Sequence, residues 1–256
     1  MKKGTPKHLY WVFSNVFGYL FGWAFLAPLY HAVINLSLHG LGYDNMYRIS
    51  WTGEDWFIKN VLAPSKPKVC FDIGANIGAY STLLLQYTSA EIFAVEPSSS
   101  AFNELSKLDS RITKIQAAVA DFEGEATLHS KGTADEKASL DESVRSGDSE
   151  TVKVETIASL AKKYDVQEVD FIKIDTEGYE REVLQGLGSI RPTFIQIEFN
   201  HHHIYRDITL YGLSKLLPGY EFYRLIPHGW LKIDPEKYLN NIYVFSNVIA
   251  IKRDIS

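Results

Sequence analysis

The stretch VCFDIGANIGAYSTLLLQY, Val69 to Tyr87, runs from a short apolar segment through an acid into a glycine-rich corner. Beyond Gly74, Asn76 and Gly78 the apolar residues Tyr80, Leu83, Leu84 and Tyr87 recur at helical spacing. A buried strand, a tight corner and a helix, in that order, form the opening unit of an open α/β sheet. Outward from this unit the alternation continues. Strand-like runs are expected at Val69–Ile73, Glu91–Val95, Ile112–Ala117, Phe171–Ile174, Thr193–Phe199, Glu221–Leu225 and Ile242–Ala250. Helix-like segments fall between most of them, near Tyr80–Tyr87, Ser98–Leu108, Ile157–Tyr164, Glu180–Leu187 and Ile208–Leu217. That alternation predicts a doubly wound, mostly parallel sheet. The linker PHGWLKIDPEKYLNN has no long helical pattern, so the last strand is expected to close one edge in antiparallel sense.

The 256 residues, 46% hydrophobic, suffice for one α/β domain with a sizeable core. A formal net charge of -5 argues against a duplex-binding surface, which needs clustered Lys and Arg, and nucleic acid is not an expected partner. The single cysteine, Cys70, sits in the first apolar strand and permits no intrachain disulfide. One polar segment, His129–Glu150, interrupts the alternation between the strand-like runs ATLH and TVKVET; it reads as a solvated loop or a substrate lid.

Residues 1–50 read as a separate hydrophobic helical region, with the main domain at 51–256. Leu9–Tyr30 carries no charged residue and is dense in aromatics, following Lys2, Lys3 and Lys7. Three readings stay open: a membrane span, for which the length of about 20 apolar residues suffices, a helix pair lying on a membrane, or helices packed on the domain. Gly18, Gly22 and Pro28, with Trp11 and Trp23, suit peripheral contact through residues 9–40. A cleaved signal fits poorly, because the apolar run continues past its small residues.

In such a sheet ligands bind beyond the carboxyl ends of the strands. DIGANIG lets backbone approach a ligand and opens a helix whose amides are free. Glu96, about 20 residues on, stands where a carboxylate grips ribose hydroxyls. The middle glycine of a dinucleotide fingerprint is here Asn76. A sulfonium ligand with an amino-acid tail fits better than a diphosphate, with Asp72 and Asn76 meeting its ammonium group. S-adenosylmethionine is therefore the expected cofactor. A third corner, FIKIDTEGYEREVLQG, delivers Asp175 and Glu177 to the same edge, while Glu180 begins a helix whose early acids suit its dipole.

Four blocks, DIGANIGAYS, FAVEPSSSAFNEL, AAVADFEGEATL and IKIDTEGYEREVLQG, in that order and spacing, resemble the FkbM family of S-adenosylmethionine-dependent O-methyltransferases. The resemblance covers about Glu54 to Ile251. It implies the class I methyltransferase fold, Rossmann-like, with a seven-stranded sheet and helices on both faces. It also implies methyl transfer to a hydroxyl, often on a sugar or polyketide. By the same resemblance Asp72, Gly74, Asn76 and Gly78 line the methionine end, Glu96 holds the ribose, and Val119 to Asp121 border the adenine. VKVETIASL departs from relatives in having Ala158 where an acid is common.

Deprotonating an alcohol adds about 10² to 10⁴-fold to a transfer that depends first on alignment. The candidates are Asp175, Glu177, Glu198 and the run HHH, of which His201 is the first; His228 reads as structural. A divalent metal is possible there but not expected. The expectation is a cytoplasmic enzyme, which the aromatic amino terminus would hold at the inner membrane face, acting on a sugar hydroxyl of a surface polysaccharide or lipid-linked glycan. Two alternatives are an NAD(P)-dependent sugar oxidoreductase and a non-catalytic membrane-associated interaction protein of the same fold. Oligomeric state, acceptor and base are not readable from the sequence.

Overall fold

The computed structural model describes residues 7–45, 48–130, 138–140 and 149–253. The chain divides into a unit of residues 1–41 and one of residues 42–256. The division falls ahead of residue 50, where the hydrophobic region was expected to end. The physical reason lies at Gly42 and Tyr43. A Cβ on Gly42 would stand 2.1 Å from the Leu225 carbonyl oxygen. Tyr43 is buried, donates its hydroxyl to the Leu239 carbonyl and lies under the Arg224 guanidinium at 3.8 Å.

The small unit holds helices α1 (Lys7–Phe21) and α2 (Ala27–Gly40). In the larger unit a short helix α3 (Ile49–Thr52) precedes α4 (Glu54–Phe57), which continues as one π-helical turn, Ile58–Leu62. Then β1 (Val69–Ile73), α5 (Ala79–Tyr87), β2 (Glu91–Val95), α6 (Ser99–Leu105) and β3 (Ile112–Ile115) follow. Next come β4 (Ala118–Val119), β5 (Gly124–Ser130), β6 (Ala138–Ser139), β7 (Ser149–Glu155), α7 (Ile157–Lys163), β8 (Phe171–Ile174) and α8 (Glu180–Gln185). The chain ends with β9 (Phe194–Phe199), α9 (His202–Tyr205), α10 (Leu210–Lys215), β10 (Tyr220–Ile226), β11 (Gly229–Ile233) and β12 (Ser246–Lys252).

The main sheet has the order β11-β10-β12-β9-β8-β1-β2-β3. β1, β2, β3, β8 and β9 are mutually parallel, and β12 runs antiparallel to both of its neighbours. Without β11 this is the seven-stranded class I methyltransferase sheet, so the fold expectation stands with one extra strand. Two details differ. The antiparallel strand inserts between β9 and β10 instead of closing an edge, and the linker expected to be irregular supplies β11, which forms the edge. The driving force is burial: the first five residues of β12 are all buried, so it could not sit at an exposed rim. A second sheet, β4-β7-β5-β6, collects the strand-like runs flanking the polar segment. Most of that expected loop or lid lies outside the described residues.

The central strands are near-continuous apolar runs because both faces are covered. Phe71 and Phe93 stack across β1 and β2 with centroids 4.8 Å apart. Between β1 and α5 Gly74 is obligatory for space as well as dihedral, and Gly78 for its dihedral. Gly74 has φ +76°, and a Cβ there would fall 1.7 Å from the Asp175 carbonyl oxygen. Gly78 has φ +84°, with Leu105 and Leu108 side chains closing the position a Cβ would take.

Candidate active site

A cavity of about 620 Å³ opens at the carboxyl ends of β1, β2, β8 and β9, where strand order reverses about β1. Both its place and its size are those of a small-molecule site. At one end stands Glu96, buried, just after β2. The Asn76 amide donates to its Oε2 at 2.8 Å and the Ser98 amide to its Oε1 at 2.9 Å. Each carboxylate oxygen keeps a lone pair for a further donor. Burial pushes Glu96 up to about 7, against the pull of those two amides. Asn76 itself holds a left-handed φ of 49°. The neighbouring wall is apolar: Pro97, Ala101, Ala117, Val119, Leu128 and Leu140. This pairs a hydroxyl-accepting acid with a slot for a flat ring.

Not every expected cofactor residue lines this space. Gly74, Asn76, Glu96 and Val119 do. Gly78 instead forms the amino cap of α5, and Asp121 is exposed outside the lining. Asp72 is fully buried behind the corner, where Ser81 Oγ donates to its Oδ2 at 2.6 Å. Lys173 Nζ stands 3.8 Å from Asp72 Oδ1 and 2.8 Å from Asp175 Oδ2. The spacing IKID places Lys173 and Asp175 on one strand face, a signal the sequence carried unread. Burial alone would depress this ammonium, but Asp175, Asp72 and Glu54 reverse that and hold it above the ordinary lysine range. One ammonium cannot balance three acids, so burial pushes Asp72 and Glu54 upward. Glu54 belongs to a buried chain in which Gln196 donates to Glu54 at 2.6 Å and accepts from Tyr80 at 2.7 Å.

The same cavity gathers all four expected catalytic residues, Asp175, Glu177, Glu198 and His201. The carboxylates of Asp175, Glu177 and Glu198 offer oxygens all within 4.8 Å of one another, close enough to share a cation. Burial, then the negative charge of Asp175 and Glu177, raises Glu198 well above the usual carboxylate range, while Asn200 Nδ2 donates to it at 2.7 Å. The three consecutive histidines diverge. His201 reaches the cavity, His202 Nε2 lies 3.2 Å from Glu177 Oε2, and buried His203 Nε2 lies 3.0 Å from Glu180 Oε2. Glu180 also accepts from the Thr176 and Gly178 amides, so it fixes the corner instead of facing the cavity. Sequence reasoning missed Asp44 and the segment Tyr243–Phe245, which line the same cavity. Neither carries a motif; tertiary packing alone brings them there.

The family model described as Methyltransferase FkbM domain matches residues 72–222. Hexuronic acid methyltransferase AglP of Haloferax volcanii is 25% identical over 164 residues, 61% of this chain and 66% of that protein. The chain thus spans just under two thirds of that relative's length. Among solved structures, the plantazolicin methyltransferase BpumL in complex with a desmethyl analogue and SAH aligns at TM-score 0.47 and 12% identity, covering 90% of this chain and 93% of that one. The O-methyltransferase from Bacillus cereus in complex with SAH aligns at TM-score 0.45 and 10% identity, covering 87% and 90%.

Proposed function

The chain belongs to the FkbM methyltransferase family, and from that membership we propose that it is an S-adenosylmethionine-dependent O-methyltransferase acting on a sugar hydroxyl. The observation that carries the cofactor assignment is Glu96, held by the Asn76 and Ser98 amides with lone pairs left for a ribose diol. The residues present fit the group: the apolar wall beside Val119 would take the adenine, and Gly74, in the cavity lining, would offer its backbone to the methionine end. S-adenosylmethionine supplies a methyl group on a sulfonium, electrophilic without further activation.

The chain's own part is to hold the acceptor and take its proton. Glu198 is the proposed base, because its raised basicity suits an alcohol and it lines the cavity beside Asp175 and Glu177. Glu198 would take the acceptor's hydroxyl proton as the acceptor oxygen takes the methyl group from bound S-adenosylmethionine, which would leave as the neutral thioether S-adenosylhomocysteine. His201 is the second candidate. Water exclusion and alignment supply most of the rate.

A sugar acceptor is favoured by the relative named for hexuronic acid, but the acceptor end differs in character. Asp44, Asp175, Glu177 and Glu198 line it, and like charge disfavours a uronate carboxylate there. We therefore read the acceptor as an uncharged sugar of a surface polysaccharide or lipid-linked glycan, modified in the cytoplasm at the inner membrane face. Within this reading residues 42–256, from which the cavity is lined, carry the transfer and residues 1–41 the membrane contact.

The test is calorimetric titration of S-adenosylhomocysteine into the protein, with NAD as comparator. Micromolar binding, a ΔG of about -8 kcal/mol, weakened at least tenfold in Glu96→Gln, is the expected result. NAD binding in its place would turn the reading toward an oxidoreductase. Binding of neither ligand by folded protein would remove catalysis altogether.

A further inference from the structure

The helices α1 and α2 carry an apolar surface that the methyltransferase reading does not use. Among the described side chains neither arm buries a large one: Tyr19 is 89% exposed, Phe25 75% and Leu36 74%, with Trp11, Phe13, Phe17 and Trp23 also open. From His8 to Tyr43 there is no Asp, Glu, Lys or Arg, while Lys2, Lys3 and Lys7 stand immediately before. Among the described residues no single helix is long and apolar enough to cross a membrane. The two arms are instead bent by 103° at a short break.

That bend is built. A Cβ on Gly22 would lie 2.3 Å from the Gly18 carbonyl oxygen, so only glycine permits the turn. Tyr30 braces it from the second arm, its ring 6.3 Å from Phe17 and its hydroxyl donating to the Phe21 carbonyl at 2.7 Å. Trp23 Nε1 donates to the Leu20 carbonyl, so carbonyls freed at the break are satisfied within the unit. Polar side chains along the arms do the same. Ser14 donates to Tyr10, Asn15 to Trp11 and Ser37 to Val33, each to a carbonyl one turn back. Internal satisfaction of this kind is what a medium without water demands.

We propose that α1 and α2 form a re-entrant anchor that enters one leaflet of an anionic membrane and returns to the same face. The dimensions agree. Arms of 15 and 14 residues are each about 22 Å long, and a symmetric V turned by 103° reaches about 17 Å deep. Half of a hydrocarbon core is about 15 Å. His31, Asn35 and His39, four residues apart on α2, put polar side chains on one face of that arm, with His39 nearest the headgroups. The three lysines match an anionic surface. Both chain termini then stay on the cofactor's side of the membrane, which a span would forbid. This deepens the membrane-contact part of the reading above and is independent of methyl transfer.

Full-length protein is floated with vesicles of phosphatidylglycerol and phosphatidylethanolamine, and with phosphatidylcholine alone, while S-adenosylhomocysteine binding is titrated on the same preparation. The expected result is flotation with the anionic vesicles and quenching of tryptophan by lipids brominated along the chain. Lys2→Gln, Lys3→Gln and Lys7→Gln together should weaken anionic partitioning about 10²-fold, and Phe13→Asp with Phe17→Asp should abolish it. Cys70 is buried, so Gly4→Cys and Ser256→Cys serve as single reporters for an impermeant maleimide in spheroplasts of a bacterial host. Both should react only after lysis. Reaction from opposite faces would establish a span and overturn the proposal. A lipid-free dimer that does not float, yet binds S-adenosylhomocysteine, would overturn the anchor and leave the methyltransferase reading intact; flotation without cofactor binding would do the reverse.

Discussion

Glu198 stands among like charges, and the consequence is a pH profile. A base must be ionised to act, and burial with Asp175 and Glu177 beside it holds this carboxyl well above the usual range. Methyl transfer should therefore rise with pH along a limb above that range. Glu177→Gln removes one negative neighbour and should shift the limb to lower pH; a limb that stays put would exclude Glu198 as the group it reports. Glu96 gives a second dependence. Its carboxyl titrates at about 7, and ribose hydroxyls donate to the ionised form. S-adenosylhomocysteine affinity should fall as pH drops below about 7, with proton release on binding near that pH. Calorimetry in buffers of different ionisation enthalpy measures it, and identical affinity at pH 6 and pH 8 would contradict the assigned role. Glu96 was legible because a distance of about 20 residues from the glycines is a fixed property of the strand, helix, strand unit. Asp72 was misplaced by the same reasoning, since sequence says that an acid ends the strand but not which side of the corner it faces.

At the scale of elements, the start of α8 is held against α9 by a buried pair. His203 and Glu180 are both at or below 1% side-chain exposure. Burial would raise Glu180, but His203 and the Thr176 amide overcome it and the carboxyl lies below its ordinary value. For an acid depressed in the fold, the stabilisation is present above the unfolded pKa, near 4.5, and lost as pH falls through the lower folded value. Glu180→Gln should cost about 3 to 5 kcal/mol in urea unfolding at pH 7, and the difference should shrink in acid. A variant as stable as the parent would mean the pair is neutralised already. The strands around this pair were legible because parallel, doubly covered strands are continuous apolar runs. The position of β12 was not: its apolar run argues against an exposed rim but does not name the two strands that flank it, β9 and β10. The strand β11 hid for a related reason: its pairing with β10 extends a half-exposed hairpin whose pattern, GWLKI, carries little alternation.

For the whole molecule, every buried apolar side chain of the described core lies at Tyr43 or beyond, and both large core clusters are made from residues of the second unit. The cavity too is lined from Asp44 onward. Hydrophobic stabilisation scales with the area buried in that unit, so residues 1–41 contribute almost nothing to it. A protein beginning at Gly42 should unfold cooperatively, with a midpoint within a few degrees of the full chain in detergent, and should bind S-adenosylhomocysteine within about twofold. It should also remain soluble where the full chain requires lipid or detergent, because the exposed aromatic surface goes with the deleted helices. Loss of cofactor binding on truncation, with the unit still folded, would mean that the amino-terminal helices complete the site and would recast the anchor as part of the active centre. Retained binding together with lost activity on a lipid-linked acceptor, but not on a soluble sugar, would separate the two roles: chemistry in the larger unit, access to substrate through the smaller.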